Sequence, residues 1–162
     1  MTIAIYPGSF DPITYGHIDI AERSSKIFDK VFVALLNNKE KNPMFSIEER
    51  LDMIKTSLKN LSNIEVCSYT GLLVDLAKEK NAKIIIRGLR AVSEYEHEIQ
   101  MAHTNTILND EVETLFMTTD LKYSYLSSSL VKEVASFGGD ITHFVPDFVE
   151  EKLKNKFVEI NK

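Results

Sequence analysis

The sequence predicts an α/β protein: a doubly wound sheet of five parallel strands with helices on both faces. Two observations carry that reading. Five short apolar runs, beginning at Ile3, Lys30, Ile64, Lys83 and Thr114, alternate with stretches whose apolar residues recur at helical spacing. The second run, Lys30-Val31-Phe32-Val33-Ala34-Leu35-Leu36, is continuous, which suits a strand covered on both faces. No composition shift, low-complexity segment or internal repeat marks a boundary, so one domain over residues 1–162 is expected.

The first strand, Ile3-Ala4-Ile5-Tyr6, meets turn formers from Pro7 to Tyr15 that cannot extend it. Apolar residues at Ile18, Ala21 and Ile27 then predict a helix over about residues 16–28. After the second strand a polar loop carries Lys39 and Lys41. It ends at Ser46, whose spacing from Glu49 is that of a capping box, and a helix follows through Leu51, Ile54 and Leu58. Ile64-Glu65-Val66-Cys67 is the third strand, with a short helix through Leu73, Leu76 and Ala77 behind Thr70-Gly71. Lys83-Ile84-Ile85-Ile86 is the fourth, expected to empty into a loop, Arg87-Gly88-Leu89-Arg90. Ser93 and Glu96 read as a second capping pair, opening the longest helix, and Thr114-Leu115-Phe116-Met117 is the fifth strand. Beyond Ser127-Ser128-Ser129 a helix runs to Phe137 and stops at Gly138-Gly139. Pro146-Asp147 opens a last amphipathic helix suited to packing.

The formal charge of -5 argues against general nucleic-acid binding, because a polyanion demands a basic face. It leaves room for an anionic small molecule held by a few basic groups in one cleft. Cys67 is the only cysteine, which rules out an intrachain disulfide and a cysteine metal cage and points to a reducing compartment. The chain opens without a basic and then apolar leader pattern. No apolar run approaches the ~20 residues that span a bilayer, so a cytoplasmic protein with no membrane partner is expected.

In doubly wound sheets ligands sit outside the carboxyl ends of the strands, where strand order reverses. The stretches 9–17, 37–41 and 87–90 all follow strands and should converge there. The first of them delivers His17 to a helix opening, whose unpaired N–H groups and dipole favour phosphate. Gly8 and Gly16 allow close approach and positive φ, Ser9 adds a hydroxyl and His17 a donor ring. Ser127, Ser128 and Ser129 offer a second anion site, or serve only as N-cap residues. Taken by itself Lys41 reads as a solvated loop lysine, and Arg87 and Arg90 can pair with Glu94 or Glu98. His97, His103 and His143 lack metal-ligand spacing and read as structural.

Thr14-x-Gly16-His17, following Gly8-Ser9-Phe10-Asp11-Pro12, resembles the (His/Thr)-x-Gly-His motif of the nucleotidyltransferase superfamily. With Lys41-Asn42-Pro43-Met44-Phe45, Arg87-Gly88-Leu89-Arg90-Ala91-Val92, the stretch 95–102 and Ser127-Ser128-Ser129-Leu130-Val131-Lys132-Glu133, the chain resembles the phosphopantetheine adenylyltransferases along nearly its full length. The superfamily's Ile-Ser-Ser-Thr-x-x-Arg motif stands here as Leu126-Ser127-Ser128-Ser129-Leu130-Val131-Lys132.

The resemblance implies a Rossmann-like nucleotidyltransferase fold and transfer of the adenylyl group of ATP to 4′-phosphopantetheine, giving dephospho-CoA and pyrophosphate with Mg²⁺ assisting. It implies that His17 stabilises the transition state, with Lys41 and Arg90 as further catalytic residues. Ser9, Lys41, Leu73 and Arg87 would bind the acceptor. ATP would be held by Ser9, Phe10, His17, Gly88, Leu89, Arg90 and Glu98, and by Tyr123, Ser124, Tyr125, Leu126, Ser127, Ser128 and Ser129. No protein ligand to the metal is assigned. A homohexamer, with coenzyme A as a feedback ligand, is also implied. Ser9 stands where the family often has Thr, which keeps the hydroxyl and loses a methyl.

Overall fold

The computed structural model describes residues 1–37, 42–90 and 92–160. Five strands, β1 (Ile3–Gly8), β2 (Lys30–Leu36), β3 (Ile64–Tyr69), β4 (Ile84–Leu89) and β5 (Glu113–Thr118), form one sheet in the order β3-β2-β1-β4-β5. All four pairings are parallel. The helices α1 (Tyr15–Ile27), α2 (Ile47–Leu58), α3 (Leu73–Glu79) and α4 (Val92–Leu108) connect successive strands, and α5 (Ser128–Ser136) and α6 (Asp147–Ile160) follow the sheet.

Successive strand residues face opposite sides, which divides the core in two. Ala4, Tyr6, Val31, Val33 and Leu35 pack with Ile20, Met53, Ile54, Val149 and Leu153. Ile5, Phe32, Ala34 and Ile85 pack on the other face with Leu76, Ala77 and Val112. The continuous apolar character of β2 therefore has the expected cause. The capping box of α2 forms in full, Glu49 N–H donating to Ser46 Oγ and Ser46 N–H to Glu49 Oε2. At the end of α5, Gly138 takes a φ of 72° that strains other residues, and the Gly139 N–H closes on Val134 O at 2.9 Å.

Three sequence expectations change, the first at β1, which runs on through Pro7 and Gly8 because these residues, read as turn formers, pair with Ala34 and Leu35 of β2. Strand β4 runs on to Leu89, because Arg87, Gly88 and Leu89 pair with Phe116, Met117 and Thr118 of β5. A free ladder edge lay beside them, so a loop would have left their backbone groups unpaired. Helix α4 begins at Val92, which puts Ser93 and Glu96 inside the helix and not across its N-cap.

One register difference opens the site. β1 pairs with β2 over six residues but with β4 only at Ala4↔Ile84 and Ile5↔Ile85. Past those pairs the two central strands part, at the point where strand order reverses.

Candidate active site

The fork between β1 and β4 holds a cavity of about 550 Å³, walled by the end of β1, the start of α1, Arg87 and Gly88 of β4, and the start of α5. Ser9, Phe10, His17, Arg87, Gly88, Arg90, Glu98, Leu126, Ser127, Ser128 and Ser129, all named from the sequence, line it together.

His17 is the third residue of α1 and takes part in an unusual capping box. Its N–H points to Thr14 Oγ1 at 3.4 Å, and the Thr14 N–H donates back to His17 Nδ1 at 3.1 Å. With Nδ1 accepting, the ring proton sits on Nε2, the remaining nitrogen of a side chain that lines the cavity. Burial lowers the imidazole pKa to about 4, the charge of Arg90 adding to the shift, so the ring is neutral at pH 7.

This box corrects the expectation of an open anion cradle at α1. Tyr15 N–H donates to Phe144 O, His17 N–H to Thr14 Oγ1 and Ile18 N–H to Thr14 O. Gly16 N–H is the one left in that turn without a partner among the described residues. The imidazole and the single Gly16 N–H, not a full set of helix-end donors, are what this turn offers a ligand.

The expected positive φ at Gly8 and Gly16 is also corrected. It falls on Phe10, at 45°, a strained conformation for a bulky residue. Its buried ring stands edge-on to His17, centroids 5.1 Å apart, and to Tyr6 at 5.6 Å. Gly8 makes that possible, since a Cβ there would come within 2.8 Å of Phe10 Cζ. Phe10 thus braces His17 through this edge contact.

Opposite stand the two arginines. Arg87 donates from Nε to Glu98 Oε2 at 2.6 Å and from Nη2 to Oε1 at 2.7 Å, a bidentate pair. Burial works to lower the Arg87 pKa, but Glu98 outweighs it and the net shift is upward. Burial likewise pushes Glu98 up, and Arg87 brings it below its ordinary value. Arg90 donates to Leu126 O at 2.8 Å and to Glu94 Oε1 at 2.6 Å. The pairings open to the arginines in the sequence are therefore both made, and at the cavity wall. His97, read from the sequence as structural, lines the same wall.

At α5, Ser127 is the N-cap, accepting from Leu130 N–H at 3.1 Å. The N–H groups of Ser128 and Ser129 have no carbonyl to reach within the helix. Ser128 Oγ donates to Pro12 O at 2.7 Å, tying this segment to the first loop.

Other named residues lie elsewhere. Leu73 opens α3 and packs on the smaller core cluster, outside this cavity. Leu89, Tyr123, Ser124 and Tyr125 do not line it either; Tyr123 stacks on Tyr15 at 6.1 Å, and Tyr125 meets Phe144. Lys41 lies outside the described residues.

Asp11, without an assigned role in the sequence, is a buried junction. Its carboxylate accepts from Met44 N–H at 2.9 Å, Phe45 N–H at 3.0 Å and Lys132 Nζ at 2.9 Å. Arg50, passed over in the sequence, is buried as well and donates to Ser9 O at 3.0 Å. Its place in a helix that begins with a capping box gave no signal of this.

The cytidylyltransferase-like family matches residues 5–134. A phosphopantetheine adenylyltransferase of Prochlorococcus marinus is 58% identical over 94% of this chain and 96% of its own. Enzymes of the same name from Caldanaerobacter subterraneus and Dictyoglomus turgidum are each 57% identical over 97% of this chain and 98% of theirs. A Vibrio parahaemolyticus crystal structure described as a nicotinate-nucleotide adenylyltransferase superposes with a TM-score of 0.72 at 19% identity, covering 97% of this chain and 94% of that one, a likeness of fold alone. On identity and coverage together, the chain belongs to the phosphopantetheine adenylyltransferase family, within the cytidylyltransferase-like nucleotidyltransferases.

Proposed function

We propose that this chain transfers the adenylyl group of ATP to 4′-phosphopantetheine, giving dephospho-CoA and pyrophosphate, the penultimate step of coenzyme A biosynthesis. The observation that carries this is the near-full-length identity to enzymes of that name in a chain whose cleft combines a neutral donor imidazole with two fixed guanidinium groups. An acceptor phosphate oxygen attacks the α-phosphorus in line. The bond to the bridging oxygen breaks, and its electron pair leaves with pyrophosphate. No protein nucleophile is needed, so catalysis rests on positioning and on stabilising charge at the equatorial oxygens.

His17 Nε2–H donates to an α-phosphate oxygen as that charge builds. Neutrality at pH 7 suits a donor that must neither lose its proton nor demand a counter-ion. Arg90 acts on the phosphate chain and Arg87 on the acceptor phosphate, joined there by Ser9 and Lys41. Ser127, Ser128 and Ser129 hold phosphate oxygens at the start of α5. Gly88, Leu89 and Glu98 border the nucleotide, Leu73 the pantetheine arm, and residues 123–126 complete the nucleotide site.

Mg²⁺ belongs to this reading as the companion of ATP. The described residues include no cluster of three His, Cys, Asp or Glu groups able to hold a metal, and the Asp11 carboxylate is already taken up by three donors. The ion would be held by phosphate oxygens and water, as this hard cation prefers. No helix among the described residues is long and apolar enough to cross a membrane. A cytoplasmic homohexamer of single-domain chains that binds coenzyme A as a feedback ligand completes the proposal; light scattering and inhibition by coenzyme A test those parts.

The reaction is tested by following pyrophosphate release from Mg-ATP with 4′-phosphopantetheine, nicotinate mononucleotide or glycerol 3-phosphate as acceptor. Release with phosphopantetheine alone is expected. Release with another acceptor overturns the substrate, and silence with all three from ATP-binding protein overturns the reaction.

A further inference from the structure

A second cavity, of about 360 Å³, adjoins the active-site cleft and shares Ser9, Ser128 and Ser129 with it. Its wall includes Arg50, which is only 3% exposed. The guanidinium spends Nη1 on Ser9 O at 3.0 Å and Nε on Ser46 O at 3.3 Å, both neutral carbonyls. It has five N–H donors to satisfy. Among the described residues no carboxylate forms an ion pair with it. Asp11, on the same wall, gives its charge to Lys132 at 2.9 Å. The three charges sum to one positive charge on a nearly solvent-free arginine, an arrangement that is costly until an anion arrives.

We propose that this side cavity is an anion subsite for phosphate oxygens, with Arg50 as its recognising group and Lys132 as a second cation at its edge. The shared serines make it continuous with the cleft, so a phosphate bound along them reaches Arg50 without leaving the protein. The subsite deepens the adenylyl-transfer reading and rests on it for the source of the anion, which is either the departing pyrophosphate or the phosphate of the acceptor. A guanidinium suits either, since its planar fork meets two phosphate oxygens at once.

The test is a titration of the wild-type protein with inorganic pyrophosphate and, separately, with 4′-phosphopantetheine, following the arginine Nε–H resonances by NMR. The Arg50 resonance is expected to shift and saturate with one of them, which also identifies the source. Arg50→Met is expected to weaken binding of that ligand by about 10- to 100-fold, the worth of one charge-assisted contact, and Arg50→Lys by less. Lys154→Met, which removes a charge at the solvent face of α6, should leave the affinity unchanged. An Arg50 resonance unmoved by both ligands while those of Arg87 and Arg90 respond overturns the proposal, and this reading needs no variant to fold. Absence of turnover with an Arg50 response to pyrophosphate removes the adenylyl-transfer reading and leaves the subsite standing.

Discussion

Glu98 grips Arg87 through both carboxylate oxygens, at 2.6 and 2.7 Å, so the guanidinium at the fork of β1 and β4 is held in one plane before any ligand arrives. Its remaining Nη1 reaches toward Pro7 O at 3.5 Å, across the gap where those strands part. A side chain this constrained loses little freedom when it meets a phosphate.

That constraint predicts a selective kinetic effect. Glu98→Ala frees Arg87 without removing it, and is expected to raise KM for the acceptor about tenfold, the worth of about 1.4 kcal/mol. KM for ATP should move less. Steady-state kinetics with each substrate varied in turn makes the comparison, and equal changes in both would place Glu98 outside acceptor positioning.

Removing the imidazole should strike turnover instead. His17→Ala is expected to lower kcat by about 100- to 1,000-fold, by analogy with loss of one oxyanion donor. His17→Asn, which keeps a donor at shorter reach, should recover part of that loss. A kcat within a few-fold of wild type in the alanine variant would remove His17 from the mechanism.

The pH behaviour of His17 follows from its burial. Its pKa of about 4 in the folded state lies below the ordinary value of 6.5, so the folded protein binds fewer protons than the unfolded chain between those limits. The linked stability is fully present above pH 6.5 and is lost as pH falls through 4, on the order of 3 kcal/mol in all. NMR should show a His17 ring that does not titrate between pH 8 and 5. A His17→Asn protein should gain on the wild type in thermal stability as the pH drops through that window, and a parallel pH dependence would contradict the shift.

Asp11 predicts energetic coupling over long sequence distance. Asp11→Asn removes the charge opposite Lys132 and is expected to cost about 1–3 kcal/mol, since it leaves the lysine without its ionic partner and puts an amide where a buried carboxylate accepts three hydrogen bonds. In a double-mutant cycle with Lys132→Met, measured by urea unfolding, the coupling should exceed about 0.5 kcal/mol. Simple additivity would mean the contact contributes nothing.

Gly8→Ala tests the brace beneath His17. The added Cβ would sit 2.8 Å from the Phe10 ring, which must move and carry the edge contact to His17 with it. A loss of about 1–3 kcal/mol from overpacking is expected, together with a fall in kcat larger than that in acceptor affinity. Unchanged thermal stability would mean that the Phe10 ring has room to shift.

Local sequence was enough to determine much of this protein. The continuous run from Lys30 to Leu36 is β2 with the bounds read from it, Ser46 and Glu49 cap α2 as their spacing required, and Thr14-x-Gly16-His17 opens α1. These features depend on neighbours three or four residues away, or on alternation along one strand, so the chain itself carries them. The tertiary structure alone decided the rest. Arg87, Gly88 and Leu89 became strand because β5 lay beside them, and a cleft opened because β1 follows β4 for only two pairs. Asp11 found its partners 33, 34 and 121 residues away, and Arg50 met Ser9 across 41. Such contacts are set by which strands and helices come to lie together in the sheet, and no local spacing in the sequence encodes that arrangement.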